Sequence, residues 1–291
     1  MDRFENLPKL IHLSHCKKMI PPGEEIQKLH IHWGYEIYFF VSGAKAFWIN
    51  NQAYPLSKGD MLIIPPLAAH QLEQSHSVLY ERYILHINPE FLSMLEQKMQ
   101  IGMNLSLFLK QIAMEKQYLF SSTPEETDQI LTSCSENFNN CNIHHGEDPT
   151  IDAITSLASS LNILALVLKK LKKQINPGYD FGNLDPIMSQ ALDYIDQHTQ
   201  DPCRVEDLAA ALYISKTTLY KKFKYFFNCS PKQYILDQKI QEAKLLLSQG
   251  VNTKITADRC GFNDYTNFIK AFTNATGISP KKYKNLKTLK I

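Results

Sequence analysis

The stretch Asp258–Tyr283, DRCGFNDYTNFIKAFTNATGISPKKY, decides the fold of the last third of the chain. Gly261 breaks a helical pattern, Asp264 can cap the first turn of a new helix, and Gly277 can end that helix in a left-handed conformation. Apolar residues recur between cap and stop at spacings of four and three, namely Phe268, Phe272 and Ala275. One face of this short helix is therefore predicted to be buried, which leaves the other face for a partner.

The same pattern occurs once before, 49 residues earlier, where Phe223 corresponds to Phe272 and Tyr234 corresponds to Tyr283. Each copy also contains a Ser-Pro pair, in which Ser can cap a helix and Pro can occupy its first turn. These pairs are Ser230-Pro231 and Ser279-Pro280. The repeat predicts two related helix-turn-helix units, at about 206–227 and 254–275.

The second helix of a helix-turn-helix unit enters the major groove of DNA. Asn can pair with adenine, Lys with guanine, and Thr can offer a methyl or a hydroxyl group to a base. The residues that we predict to contact DNA lie on the two second helices and at their caps: Ser215, Thr217, Thr218, Lys221, Lys222, Lys224, Asp264, Tyr265, Thr266, Asn267, Lys270 and Asn274. The alternative interpretation is a helical bundle with no role in DNA binding.

A single helix is predicted between the two units, from Pro231 to about Ser248. At 1.5 Å per residue it is about 27 Å long, close to the ~34 Å of one turn of DNA. This last third is also basic. From Leu184 onward, 16 Lys and Arg oppose 10 Asp and Glu, a net charge of +6, whereas the preceding residues carry −4. That asymmetry favours double-stranded DNA as the partner.

The last ~100 residues resemble the DNA-binding domain of the AraC/XylS family of bacterial transcription regulators. The resemblance is carried by LAAALYISKTTLYKKFK (208–224) and GFNDYTNFIKAFTNATGISPKKYK (261–284). The chain departs from the family pattern at Asn228, where Gly is usual, and at Thr256, where an aliphatic residue is usual. Lys239 and Lys270 replace usual arginines. The resemblance implies a homodimer that senses a small-molecule effector and activates transcription through RNA polymerase, with carbohydrate-use genes as targets.

Short apolar runs separated by turns fill the first 88 residues. Asn50-Asn51 is typical of a type I′ hairpin, Ser57–Asp60 predicts a further turn, and Pro65 stops the next strand. Such a series of short strands favours a barrel or sandwich. We therefore expect a multidomain protein: an all-β cupin-like barrel with appended helices, followed by an all-α tandem helix-turn-helix domain.

Histidines in the predicted barrel share the spacing of cupin motifs. Matches to the two motifs are Gly23, His30, His32, Glu36 and Gly43, then Gly59, Pro65 and His70. His30, His32 and Glu36 have the same parity on a strand, so that all three can point into the barrel. With His70 they resemble the three-His-one-Glu metal site of cupin enzymes, although Leu67 and Gln74 replace the usual Gly and Asn of the second motif.

Three interpretations of these residues remain open. They can bind a metal in an enzyme, bind a metal in a sensor, or form an organic-effector pocket or ordinary barrel core. We favour the effector pocket, with aromatic side chains stacking on a sugar ring, and we expect no catalytic residue, no cofactor and no metal. The predicted effector-binding residues are His30, His32, Trp33, Glu36, Tyr38, Trp48 and His70. The rival from another class is a cupin-type metalloenzyme with a helical tail that binds nucleic acid or protein.

The period becomes helical after Pro89. Residues 89–175 are predicted to form a helical extension of the 1–88 barrel, interrupted by a polar loop over 133–149. Its last helix, from about Thr150 to Gln174, has apolar residues at 3–4 spacing, and it can pair with its twin in a homodimer or pack on its own barrel. Pro, Gly and Asp over 176–186 predict a linker before the DNA-binding domain at 187–291.

Composition is ordinary for a globular protein, with 44% hydrophobic and 21% charged residues. The N-terminus lacks a signal-peptide pattern, and the most apolar run, Leu157–Leu171, is shorter than the ~20 apolar residues of a membrane span. The six cysteines form no Cys-x-x-Cys pair, which favours a reduced compartment. We therefore expect a cytoplasmic protein with no membrane partner.

Overall fold

The structure is a computed structural model that describes residues 10–21, 28–74, 79–99, 105–143, 148–174, 185–198 and 203–289. Most of the predicted linker, 176–184, lies outside the described residues, as do Gly23 and residues 144–147 of the predicted polar loop. The domain limits at 88 and 186 stay predictions.

The N-terminal part consists of two five-stranded sheets that face each other. The first sheet has the order β1-β8-β3-β6-β9 and the second has the order β10-β2-β7-β4-β5. The strands are β1 (Ile11–Met19), β2 (His30–His32), β3 (Tyr35–Ser42), β4 (Ala44–Ile49), β5 (Gln52–Pro55), β6 (Met61–Ile64), β7 (His70–Gln74), β8 (Leu79–Ile87), β9 (Leu119–Phe120) and β10 (Lys287–Leu289). The prediction of a cupin-like all-β domain is confirmed.

The predicted turns have a clear backbone origin. Asn50 and Asn51 both have positive φ, +48° and +66°, as a type I′ hairpin between β4 and β5 requires. Pro65 follows the last residue of β6, and Leu67 after it takes the unusual φ of +58°. Leu67 is held there by hydrogen bonds, because its N–H donates to the carbonyl of His32 at 2.8 Å.

Four helices cover the outer face of the first sheet. They are α1 (Pro89–Met99), α2 (Leu105–Met114), α3 (Pro124–Ile143) and α4 (Pro149–Gln174). Their apolar sides form one core with the outward residues of the sheet, including Ile37, Phe39, Ile63 and Leu85. The barrel interior is a separate cluster around Tyr38, Phe47 and Tyr80.

Two predictions for this region are wrong. Residues 133–143 continue α3 instead of forming a loop, since Cys134 faces the core and Asn137 bonds back to the carbonyl of Ser133. Leu119 and Phe120 do not extend a helix, because they pair with Met61 and Leu62 as the edge strand β9.

The C-terminal part contains seven helices among the described residues. They are α5 (Pro186–Gln197), α6 (Val205–Ala211), α7 (Lys216–Phe227), α8 (Pro231–Ser248), α9 (Thr253–Arg259), α10 (Tyr265–Thr276) and α11 (Pro280–Lys284). The predicted spacer helix has the bounds of α8. The two helix-turn-helix units are α6–α7 and α9–α10, so the tandem arrangement predicted from the repeat is confirmed.

The departures from the family pattern have local solutions. Asn228 ends α7 with φ +51°, the left-handed conformation for which Gly is usual. Thr256 is fully buried, and its hydroxyl donates to the carbonyl of Asn252 at 2.9 Å. Lys239 is buried and donates to the carbonyl of Gly261 at 3.0 Å, so it braces the turn of the second unit.

The two units differ in what completes their cores. The first unit packs on α5 and the start of α8, through residues such as Phe223 and Tyr234. The core of the second unit includes Phe272 and Tyr283 together with three barrel residues, Ile31, Leu67 and Ala69. The barrel is therefore packed onto the second unit.

Backbone contacts strengthen this junction. The Tyr283 hydroxyl donates to the carbonyl of Leu67 at 2.5 Å, and both residues are buried. Strand β10, beyond α11, pairs in parallel with β2 of the barrel, a strand that an all-α expectation for this domain did not include. The end of α10 meets the β4–β5 hairpin so closely that a Cβ atom at Gly277 would lie 2.7 Å from the carbonyl oxygen of Asn50.

We expect Tyr283→Phe to lower the free energy of unfolding by about 1 kcal/mol, because it leaves the buried carbonyl of Leu67 without its donor. Hydrogen exchange of the amides near Leu67 and Phe272 should speed up in the same variant, since both lie at the junction.

Tyr213→Phe is the matched control, since the Tyr213 side chain is 96% exposed. Equal stability and equal exchange in the two variants would show that the Tyr283 hydroxyl does not hold the junction.

Candidate functional site

The polar faces of α7 and α10 are exposed, as a DNA-reading face must be. Thr217 and Lys221 on α7 and Thr266, Asn267 and Lys270 on α10 are exposed, while Leu219, Phe223, Phe268 and Phe272 on their opposite faces are buried. The side chains of Ser215 and Asp264 accept hydrogen bonds from the amides of Thr218 and Asn267 at 3.1 and 2.7 Å. These two residues therefore fix the starts of the helices.

Other predicted DNA contacts already have partners. The ammonium group of Lys222 is half-buried and forms an ion pair with Asp185, the cap of α5. Lys224 donates to the side chain of Asn228 at 2.6 Å. The hydroxyls of Tyr265 and Thr253 lie 2.8 Å apart. Exposed Asn274 lies at the end of α10 nearest the barrel.

A second candidate site is a histidine cluster inside the barrel. His30, His32 and His70 are buried, and one ring nitrogen from each lies within 4.8 Å of the others. Glu36 completes the group, since its carboxylate oxygens lie 3.3 Å from Nε2 of His32 and 3.7 Å from Nε2 of His70. The predicted parity therefore brings these four residues together, although His32 and Glu36 belong to strands of different sheets, between which the chain crosses at Gly34.

Backbone carbonyls fix the orientation of all three rings. Nδ1 of His30, His32 and His70 lies 2.8 to 2.9 Å from the carbonyls of Lys28, Gly34 and Ala68, respectively. A carbonyl only accepts, so each Nδ1 carries a proton and each Nε2 is left free to face the cluster. Nε2 of His32 and His70 and one carboxylate oxygen of Glu36 are buried with no hydrogen-bond partner.

The pKa values in this cluster are shifted by burial and by the neighbouring groups. Burial lowers the pKa of His30, and burial together with the neighbouring rings lowers the pKa of His70 well below its usual value, so both imidazoles are neutral. Burial alone would raise the pKa of Glu36, but its neighbours, led by His32, hold it below the usual range. The result is a buried carboxylate beside the neutral imidazoles of His30 and His70.

The sequence did not predict that His86 belongs to this cluster. Nδ1 of His86 lies 3.6 Å from Glu36, and burial lowers the pKa of this histidine to about 3. His86 is the direct neighbour of Glu36 in the β3–β8 register. Only the strand pairing reveals this contact, because the two residues are 50 positions apart in sequence.

Three predicted effector-binding residues lie elsewhere. Tyr38 packs on Phe47 deeper in the barrel, and its hydroxyl lies 3.1 Å from that of Tyr80. Trp48 points outward and donates to Glu73 at 2.8 Å. Trp33 is 42% exposed and faces the DNA-binding domain. The seven residues therefore do not form one pocket.

The donor set fits a divalent transition metal. Three imidazoles and one carboxylate are ligands for ions such as Zn²⁺, Mn²⁺ or Fe²⁺, and a carbonyl-bonded Nδ1–H is the usual support of a ligating histidine. His30, His32, His70 and Glu36 would hold the ion, whose charge would compensate the buried carboxylate.

The cluster is connected to the DNA-binding domain through one short loop. The carbonyl of His32 accepts from the amide of Leu67, and the carbonyl of Leu67 accepts from Tyr283. The next residue, Ala68, holds the ring of His70. One loop therefore contacts both the histidine cluster and the second helix-turn-helix unit.

Comparison with known proteins agrees with this architecture. A helix-turn-helix domain model matches residues 208–285, and a cupin domain model matches residues 18–78. The uncharacterized HTH-type transcriptional regulator YdeC of Bacillus subtilis is 24% identical over 271 residues, which cover 88% of this chain and 86% of YdeC. The predicted combination of an AraC-type helix-turn-helix domain with a cupin domain is therefore confirmed, and the relatives are HTH-type transcriptional regulators.

Other relatives match a smaller share of the chain. The Msm operon regulatory protein of Streptococcus mutans is 32% identical over 43% of this chain and 49% of its own length. The lactose operon transcription activator of Staphylococcus xylosus is 30% identical over 40% and 42%. The chain thus spans less than half the length of these two relatives.

Among solved structures, ToxT from Vibrio cholerae is similar over 94% of this chain and 98% of its own, with 12% identity and a TM-score of 0.49. The C-terminal domain of the response regulator yesN from Fusobacterium nucleatum is similar over 35% of this chain, with 26% identity and a TM-score of 0.34.

We expect the full-length protein to bind one equivalent of Co²⁺, measured by its visible absorption, because the four donors are preformed. His70→Gln should abolish the spectrum, since it removes a ligand whose ring touches both other histidines. The expected increase in thermal stability with metal should vanish in the same variant.

His198→Gln is the control, because this histidine caps the C-terminus of α5 and bonds the carbonyl of Tyr194. A Co²⁺ spectrum that survives in His70→Gln, or is equally lost in His198→Gln, would contradict the assignment.

Proposed function

We propose that this AraC/XylS-type protein is a sequence-specific DNA-binding activator of transcription, controlled by a small molecule and acting in the cytoplasm. The observation that carries the proposal is the pair of exposed Thr/Asn/Lys faces on α7 and α10, joined by the 18-residue helix α8. Phosphate contacts from Lys221 and Lys270 would position the protein, while Thr218 and Asn267 would read bases. Contact with RNA polymerase is part of this proposal.

Control would act through the junction with the barrel. An effector changes DNA binding only if it binds two arrangements of the protein unequally. Because the barrel shares a core with the second unit and not with the first, an effector that alters the junction changes the position of α10 relative to α7. Two relatives are regulators of sugar operons by name, for raffinose and lactose, and this supports a carbohydrate-related effector.

A second role for the barrel is favoured by the histidine cluster. We infer that a transition-metal ion bound there sets the position of the loop that contains Leu67, either as a structural ion or as the signal itself. The rival function, a cupin-type metalloenzyme, needs space for a substrate beside the ion. The donor residues are between 0% and 4% exposed, which argues for a regulator without catalysis.

The homodimer belongs to the same proposal, and α4 is its candidate interface. Lys170, near the end of this helix, is buried and bonds Glu126 at 2.9 Å, and the buried side of α4 packs on β1, β8 and α3. Residues Pro149–Lys173 of α4 have the length and composition of a membrane span, and the exposed side chains of the helix include Ile151 at 51% and Ile154 at 54%. A second copy of the chain would cover this stripe.

Salt dependence of DNA binding should distinguish the two neighbouring lysines of α7. Lys221→Met should reduce the slope of log K against log salt by about 1, because one phosphate contact is lost. Lys222→Met should leave the slope unchanged, because Asp185 already neutralises that ammonium group. The measurement is a titration of promoter DNA at several salt concentrations.

Asn267→Ala provides the complementary test of base reading. It should cost about 1–3 kcal/mol at one operator position and leave non-specific binding unchanged. Equal loss on every DNA sequence would contradict the assignment of the reading face.

We expect Ile154→Glu to convert a dimer into a monomer in analytical ultracentrifugation, because it places a charge in the apolar stripe. Ile255→Glu is the matched control, since Ile255 is 48% exposed on α9, away from the stripe. A wild-type monomer, or a dimer that resists Ile154→Glu, would reject α4 as the interface.

A further inference from the structure

His86 brings a further imidazole to the carboxylate of Glu36, from a strand that carries none of the histidines predicted from the sequence. It lies on β8, directly opposite Glu36 of β3 in the strand register. Its Nδ1 is 3.6 Å from Oε1 of Glu36, and this nitrogen is buried with no hydrogen-bond partner among the described residues. Because the side chain is only 13% exposed, bulk solvent does not reach this nitrogen.

A hydrogen bond on the far side of the ring determines which nitrogen of His86 carries the proton. Nε2 lies 3.2 Å from the hydroxyl of Ser14, and that hydroxyl lies 3.4 Å from the carbonyl of Ile84. The carbonyl only accepts, so the hydroxyl donates to Ile84 and accepts from Nε2–H of His86. Nδ1 of the neutral ring therefore keeps its lone pair on the side of Glu36. The ring of His12, stacked on His86 with centroids 4.5 Å apart, supports this orientation.

The lone pair of His86 and the carboxylate of Glu36 are both acceptors, so neither satisfies the other. Nε2 of His32 and Nε2 of His70 lie 3.3 and 3.7 Å from the same carboxylate. Both nitrogens are likewise buried without a hydrogen-bond partner among the described residues. Burying polar atoms without partners is unfavourable, and one cation between them would serve all of these atoms at once.

The spacing of these atoms suits direct ligation of one ion. Two atoms that each lie about 2.1 Å from an ion are between about 3.0 and 4.2 Å apart, depending on the angle at the ion. The distances from the carboxylate of Glu36 to the three ring nitrogens are 3.3, 3.6 and 3.7 Å, which all fall in this range. His86 therefore meets the same criterion as His32 and His70.

We propose that His86 is a fifth ligand of the metal site, which then consists of Glu36 and the imidazoles of His30, His32, His70 and His86. Structural zinc sites in proteins have four ligands, whereas five donors suit an ion that accepts five or six. His86 thus shifts the preference of the site from Zn²⁺ towards ions such as Fe²⁺ or Ni²⁺. This inference rests on the metal-dependent role proposed for the barrel, and it is independent of DNA binding.

The test compares full-length wild type with His86→Phe, which keeps an aromatic ring beside His12 but offers no ligand atom. Affinities for Ni²⁺ and Zn²⁺ are measured by competition with a chelator. Ni²⁺ binding should weaken at least about tenfold, since even partners outside the ligand set contribute about ten- to a hundredfold to metal affinity. Zn²⁺ binding should weaken less, so that the ratio of the two affinities falls. The visible absorption of bound Co²⁺ should become more intense, because Co²⁺ absorbs more strongly at a lower coordination number.

Two further variants complete the test. His86→Gln keeps a polar side chain, and it should also weaken Ni²⁺ binding if packing around Phe impairs folding of the first variant. His15→Gln is the matched control, because His15 of β1 bonds the carboxylate of Glu81 at 3.0 Å and stacks on Phe138 of α3, outside the cluster. Its metal affinities should equal those of the wild type.

Three results would overturn the proposal. They are an unchanged Ni²⁺ affinity in both His86 variants, an equal loss in His15→Gln, and a weaker affinity with unchanged Co²⁺ absorption in His86→Phe. The last result would show that His86 only supports Glu36 from outside the ligand set.

The same titrations separate this inference from the proposed function. Metal binding that His70→Gln abolishes and both His86 variants leave unchanged would refute the fifth ligand alone. Wild-type protein that binds promoter DNA but no metal would refute the metal-dependent role together with this inference, and the DNA-binding function would stand.

Discussion

One apolar core that two domains share is the constraint on which the arrangement of this protein depends. Ile31, Leu67 and Ala69 of the barrel complete the core around Phe272 and Tyr283 of the second helix-turn-helix unit. Neither side can move without exposing apolar surface to water, which is the dominant cost in protein structure. The first unit is free of this constraint, because α5 and α8 complete its core.

The same junction connects three features that differ in chemistry. In the loop Pro65–Leu67, the carbonyl of Leu67 accepts a hydrogen bond from the hydroxyl of Tyr283, and its amide donates to the carbonyl of His32. The same loop lines a cavity of about 860 Å³ that Lys244 of α8 also lines. Leu67 has a positive φ, a strained conformation that its hydrogen bonds maintain. A small displacement of this loop would therefore change contacts in the histidine cluster, in the cavity and near the reading helix α10.

Sequence patterns predicted what depends on local spacing. The repeat of Phe223 and Tyr234 at Phe272 and Tyr283 identified both helix-turn-helix units, and Asn50-Asn51 identified a hairpin, because helix periodicity, caps and turns are encoded by neighbouring residues. Parity also grouped His30, His32 and Glu36. Contacts between strands that are distant in sequence could not be predicted from local spacing. His86 and the pairing of β10 with the barrel sheet were missed for this reason. Trp48 was assigned to a pocket although its strand position turns it outward.

The shared core also has a consequence for how the chain can be divided. The two reading units descend from one pattern, yet they are unequal as pieces. A fragment that begins after the linker would keep the core of the first unit intact. The second unit would lose the barrel residues that pack on Tyr283, and β10 would lose its partner strand β2. Such a fragment would expose an apolar surface beside α10, so we expect it to self-associate in isolation.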